Sequence, residues 1–126
     1  MICKEDHLQQ CRGYLLAIQD TLELLSGKWK VSVIACLGYG KKRFTDLQRE
    51  LHGIGPKMLS KELQELEING LVQRTVCCTR PLTVEYHITE YGQTLQPVIQ
   101  EIARWGKQHR GRIMHTPDIQ ANANIF

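Results

Sequence analysis

The stretch GIGPKMLSKELQELEING, residues 53–70, decides the fold. Gly53 and Gly55 break any preceding helix, and Pro56 opens a new one without penalty, because the amide it lacks would be unpaired in a first turn. Leu59, Leu63 and Leu66 recur at helical spacing and predict one buried stripe. Lys57, Ser60, Lys61 and Gln64 fall on the opposite side. Asn69-Gly70 closes the helix with residues that tolerate left-handed backbone. The outward N-terminal half is thus read as short, polar and basic, without a bulky apolar group.

Upstream, Phe44-Thr45-Asp46-Leu47-Gln48 predicts a short helix in which Thr45 and Gln48 have capping-box spacing and Leu51 continues the buried face. His52 to Gly55 then joins two helices by a tight turn. Downstream the period changes to two. Val84, Tyr86 and Ile88 alternate with Glu85, His87 and Thr89, as in a half-buried strand. Leu71 to Cys78, rich in β-branched residues, is its expected partner, with Thr79-Arg80-Pro81-Leu82 at the tip. Two helices, a Gly-containing turn and a hairpin make a helix-turn-helix with a wing.

The second helix of such a pair enters a major groove about 12 Å wide, which its polar outward face fits. Lys57 and Lys61 suit phosphates or guanine edges, Ser60 and Gln64 donate and accept, and Gln64 suits adenine. Gly55 and Pro56 stand at the helix's positive end, which favours phosphate. Arg43, at the end of the basic run from Lys41, precedes the motif, and Arg74 and Arg80 lie on the hairpin. Any amphipathic helix also has a solvated charged face; three separated basic features on one predicted motif favour duplex DNA.

The flanks add further helices. Leu15, Ile18, Leu22 and Leu25 form a stripe ended by Gly27, and Trp29, Val33, Ile34 and Leu37 form another, stopped by Gly38 and Gly40. After the hairpin, Thr89 caps a long last helix with the stripe Leu95, Val98, Ile102 and Trp105 and with Ile99 beside it; Pro97 bends this helix or marks a restart. The fold class is mainly α with a small β-hairpin (α+β). Residues 1–13 are read as a polar lead, 14–112 as one winged helix-turn-helix domain with its outer helices, and 113–126 as a flexible tail.

These segments resemble the HxlR-type winged helix-turn-helix regulators of bacteria. The resemblance rests on LLSGKWK (24–30), KKRFTDLQREL (41–51), GIGPKMLSKELQELEINGLVQR (53–74), VEYHITEYG (84–92) and LQPVIQEIARWG (95–106), in that order. It implies a homodimer whose first and last helices form the interface, through Leu15, Ile18, Leu22, Leu25, Leu95, Val98, Ile102 and Trp105. It also implies DNA reading by Gly55 to Gln64, with Arg43 and Thr45 beside it, and a wing over residues 75–83. Gly55 stands where the family has a serine-like cap, and Thr83 where its wing has a basic residue, a charge that Arg80 is placed to supply. Some family members sense oxidants or electrophiles through an N-terminal cysteine. Cys11 is accordingly read either as a redox switch or as a plain surface thiol.

Composition sets outer bounds. An apolar share of 42% over 126 residues fits one folded domain, and a net charge of +3 argues neither for nor against nucleic acid. No apolar run approaches the roughly 18 residues of a membrane span. Met1 to Gln10 lacks a hydrophobic signal core, so the expected location is the cytoplasm, with the five cysteines reduced. The histidines are scattered, no CxxC pair occurs, and Gly38-Tyr39-Gly40 lacks a phosphate-loop pattern. No enzyme, metal site or cofactor is therefore expected. The expected partners are double-stranded DNA and a second copy, with a small-molecule or redox effector unidentified. The alternative function is a winged-helix protein-interaction module without DNA binding.

Overall fold

A computed structural model describes residues 4–77 and 80–114. In chain order they form α1 (Lys4–Leu24), α2 (Lys30–Leu37), β1 (Lys42–Arg43), α3 (Phe44–Glu50), α4 (Pro56–Ile68), β2 (Val72–Cys77), β3 (Thr83–Ile88), α5 (Glu90–Gln93) and α6 (Gln96–Met114). The molecule is mainly helical with a three-stranded antiparallel sheet in the order β1-β3-β2. The predicted helix pair is α3 and α4, and the predicted hairpin is β2 and β3, in register from Val72 opposite Ile88 to Cys77 opposite Thr83.

Several boundaries differ from the sequence-based expectation. Thr45 is not the cap of α3: the helix starts at Phe44, Arg43 holds the cap position, and the Asp46 carboxylate accepts from the Arg43 amide at 3.1 Å. Asp46, three residues after Arg43, can take a carboxylate-to-amide bond that Gln48 is too far along the helix to make. The hairpin gains a third strand, because Lys42 and Arg43 pair with Tyr86 and Glu85. The polar lead is helical from Lys4 and continuous with α1, and α6 extends through Met114 into the expected tail. Thr89 caps the short α5 rather than the long helix, and α6 restarts at Gln96 with Pro97 in its first turn, where proline is tolerated. Cys78, Thr79 and the tail from His115 lie outside the described residues.

One core joins these elements. Val33, Ile34 and Leu37 of α2 meet Leu47 of α3, Leu59, Leu63 and Leu66 of α4, Val72 of β2, Ile88 of β3 and Ile99 of α6. The Thr89 hydroxyl ties the wing side to the recognition side. It accepts from the Gly92 amide at 3.0 Å and donates to the Gly70 carbonyl at 2.5 Å. Gly92 lies so close to the β2 entry that a Cβ there would overlap the Leu71 carbonyl oxygen.

A buried ion pair crosses the core between α2 and α4. Lys30 Nζ lies 2.9 Å from Glu62 Oε2 and 2.5 Å from Glu65 Oε2, and it reaches the Ser26 carbonyl at 3.5 Å. Lys30 and Glu62 are both buried, whereas Glu65 keeps one side in water. Burial pulls the Lys30 pKa down, but hydrogen bonds to Glu65 and Glu62 and their negative charges outweigh it and raise the pKa above the ordinary lysine value. The Lys30 ammonium in turn holds the Glu65 carboxyl below the usual carboxylate range. The pair is therefore charged at neutral pH. Its contribution falls as acid titrates Glu65 through that lowered range, and on the alkaline side it persists past the ordinary lysine range.

Removing one partner leaves a buried charge uncompensated. Lys30→Met should lower the unfolding free energy by about 3–5 kcal/mol. The double variant Lys30→Met/Glu62→Met should recover most of that loss, because it removes both desolvated charges. Urea unfolding of the two variants measures this, and equal destabilisation in both would contradict a compensated buried pair.

Candidate nucleic-acid interface

The rotation of α4 is set by its buried residues, Leu59, Glu62, Leu63 and Leu66. Lys57, Ser60, Lys61 and Gln64 are all exposed as a result. Gly55 holds the N-cap position in extended backbone (φ −79°, ψ 158°) and offers no side-chain oxygen. The first-turn amides of α4 thus remain open to an external anion at the positive end of the helix.

The wing reaches the flank of this helix. Ser60, Gln64 and Glu67 of α4, Arg74 of β2 and Tyr86 of β3 line one cleft of about 330 Å³. Sheet register explains the grouping. Lys42, Tyr86 and Arg74 stand opposite one another across the three strands, so they share a face, and Tyr86 and Arg74 turn it toward α4. Arg43, Glu85 and Thr75 form the next row and point to the other face. Ser60, Gln64 and Arg74 are therefore brought together, whereas Arg43 lies across the sheet from them. Thr45 is exposed in the first turn of α3, Arg80 is exposed beside the hairpin tip, and Thr83 is half-buried opposite Cys77.

Three residues near the site were not singled out from sequence. Met58 is 41% exposed in the first turn of α4, so the outward N-terminal half does carry one large apolar side chain. The spacing of the leucine stripe contained this signal, since position 58 falls about a quarter turn off it. Tyr86 and Glu67 enter the cleft through strand register and helix rotation, which sequence spacing alone leaves open.

The outer helices divide differently from the predicted stripe. Leu25 is buried in the protomer's own core, and the half-buried Leu95 packs against that core. Leu15, Ile18 and Leu22 on α1 are exposed, as are Val98, Ile102 and Trp105 on α6. Residues 7–20 of α1 are exposed throughout. The two helices meet at Val98, which lines an apolar groove of about 350 Å³ with Tyr14, Ile18 and Leu22. Cys11 is an exposed free thiol on α1. Cys36 is half-buried, and burial, reinforced by the Glu50 carboxylate, pushes its thiol pKa up, away from reactivity.

A buried-stripe second helix with an open N-terminus, flanked by a wing on the same core, defines a winged helix-turn-helix protein. Residues 24–114 match the family model described as HxlR-like helix-turn-helix. The chain belongs to this family of DNA-binding transcriptional regulators and is not an enzyme. It is similar to the uncharacterized HTH-type transcriptional regulator YtcD of Bacillus subtilis (strain 168), 38% identical over 102 residues that cover 81% of each chain. Among solved structures, the redox regulator HypR in its reduced form superposes with a TM-score of 0.74 at 36% identity, covering 79% of this chain and 99% of that one. The reduced form of the transcriptional regulator YodB from B. subtilis gives a TM-score of 0.66 at 33% identity, covering 86% and 94%. No helix among the described residues is long and apolar enough to cross a membrane.

Proposed function

We propose that the protein is a homodimeric, sequence-specific reader of duplex DNA, with α4 in the major groove and the β2–β3 wing on the flanking backbone. The observation that carries this reading is the separation of α4 into a buried leucine side and an exposed side bearing Lys57, Ser60, Lys61 and Gln64, with Arg74 delivered to its flank. Phosphate contacts from Lys57, Lys61 and Arg74 supply affinity and register, and Ser60 and Gln64 supply base contacts. Arg80, near the tip, is placed to meet the backbone beyond the recognition helix.

The second copy follows from what the protomer leaves uncovered. An isolated helix of this length is marginal in water unless an apolar face is buried. Residues 7–20 of α1 are exposed among the described residues, Tyr14, Leu15 and Ile18 included, and Leu22 beyond them is exposed as well. Val98, Ile102 and Trp105 of α6 continue this surface. Apolar area of this extent marks an interaction face, and a second copy of the same α1–α6 face is self-complementary under two-fold symmetry.

The DNA and dimer assignments are tested separately. A duplex selected from a random pool should bind with an affinity that falls steeply with salt, and Lys57→Ala/Lys61→Ala should lower the salt slope by about 2. The melting temperature of that variant should stay near the parent's, because both side chains are exposed. Undiminished affinity would remove α4 from the groove, and failure of the parent to bind any duplex at low salt would favour a protein-interaction module. Ile102→Glu should convert the dimer to monomer in sedimentation equilibrium, and a persisting dimer would place the interface elsewhere.

A second reading concerns the signal. The relatives HypR and YodB include a redox regulator and a regulator solved in reduced and diamide-treated forms. Cys11 lies exposed on α1, the helix assigned here to subunit pairing. Two Cys11 thiols giving two electrons and two protons to diamide, which becomes the hydrazine, would be joined as a disulfide, and that would change the pairing. Diamide should release DNA from the parent protein, and Cys11→Ser should resist release. Equal release from the variant would exclude Cys11 as the switch.

A further inference from the structure

The end of α2, the segment after it, β3 and the α5–α6 junction line an open cavity of about 520 Å³, separate from the cleft beside α4. Its volume lies within the range of small-molecule sites, roughly 300–1,000 Å³. The side chains of Leu37 and Ile88, almost fully buried, give it an apolar floor. Lys41, His87, Gln93 and Gln96 give it a polar rim, and among the described residues no carboxylate lines it.

Among the described residues, the side chains of Lys41, His87, Gln93 and Gln96 have no hydrogen-bond partner. The last carbonyls of α2 are already satisfied by the amides of Gly38, Tyr39 and Gly40 at 3.0–3.3 Å. Lys41 is exposed, and the buried Nδ1 of His87 has no partner among the described residues. Gln96 lies over the Gly38 backbone, where an added Cβ would come within 2.7 Å of its side-chain amide. Gly38 thus leaves room for the Gln96 side chain to lie against the backbone at the edge of the cavity.

We propose that this cavity binds a small organic carboxylate. Its apolar body would rest on Leu37 and Ile88, and its anionic end would meet the Lys41 ammonium with donors from Gln93 and His87. A cation, two carboxamides and an imidazole without an opposing acid favour an anion over a neutral or cationic ligand. Because the walls come from the end of α2, the wing strand β3 and the start of α6, an occupant touches at once the element that supports the recognition helix, the wing and the exposed outer helix.

Backbone amide shifts of the full-length ¹⁵N-labelled protein, titrated with benzoate and with its neutral isostere benzamide, test this without DNA. Benzoate should shift Gly38, Gly40, Lys41 and Gln93 saturably, and benzamide should bind at least about tenfold more weakly, a difference of about 1.4 kcal/mol. Lys41→Met, a change at an exposed position, should weaken benzoate by a similar factor while leaving the rest of the spectrum in place. Equal binding of benzamide, shifts centred elsewhere, an unaltered Lys41→Met affinity, or no saturable shift up to about 20 mM benzoate would overturn the proposal. These results are independent of whether the protein binds DNA.

Discussion

The buried Lys30 ammonium is the constraint on which the presentation of α4 depends. A lysine in a core must find charged partners, and both of its partners, Glu62 and Glu65, project from the inward side of α4. A leucine stripe fixes which broad face of a helix is buried, yet apolar packing alone tolerates modest rotation and sliding. An ammonium held 2.9 Å from one carboxylate and 2.5 Å from another, three residues further on, does not. Rotation of α4 is thereby locked, and the azimuth of Lys57, Lys61 and Gln64 follows from it. The same ammonium offsets one of the two negative charges that Glu62 and Glu65 place behind the exposed face of α4. Buried ion pairs add little net stability compared with apolar replacements. The role of this one is orientation.

The wing is anchored by smaller contacts that converge on the same place. β1 contributes only Lys42 and Arg43, but pairing them to β3 covers an edge of the hairpin, and the Lys42 ammonium meets Glu50 at the end of α3 at 2.7 Å. On the other side, Thr89 bonds both to the end of α4 and to the start of α5. β3 is therefore tied to the recognition unit at its middle, through β1, and at its C-terminal end, through Thr89. Arg74 inherits its position beside Gln64 from this arrangement, not from any local propensity of its own strand.

The helix pair, the hairpin and the outer helices were legible in the sequence because each depends on periodicity and on Gly or Pro punctuation. What escaped was set by tertiary geometry. Two polar residues, Lys42 and Arg43, carry no strand signal, and only the exposed edge of β3 makes them a strand. Thr45 and Gln48 matched a capping pattern that the backbone realised two residues earlier, through Arg43 and Asp46. Nothing in the spacing of Lys30 and Glu62 marks them as partners, since sequence alone does not reveal that two charged residues so far apart meet inside a core. Leu25 and Leu22 belong to one stripe by spacing, yet the end of α1 turns one into the core and leaves the other outside.

That last division constrains how a signal on α1 can reach the DNA. Leu24 and Leu25 pack at the core, but the preceding residues from His7 to Asp20 are exposed, so Cys11 touches no element that carries the recognition helix within its own protomer. A change at Cys11 has no packed route to α4, whose orientation is locked from the other side by Lys30. In the proposed dimer it has a route through the second copy, because α1 and α6 together form the face assigned to pairing. Altering that pairing changes the separation and relative angle of two otherwise unchanged α4 helices. Half-sites on a duplex repeat once per helical turn, roughly 34–36 Å, and tolerate little error in that spacing. A rigid reader on a movable dimer axis is thus sensitive to modest rearrangement at the interface, and the rigidity conferred by Lys30 is what makes subunit geometry the adjustable quantity.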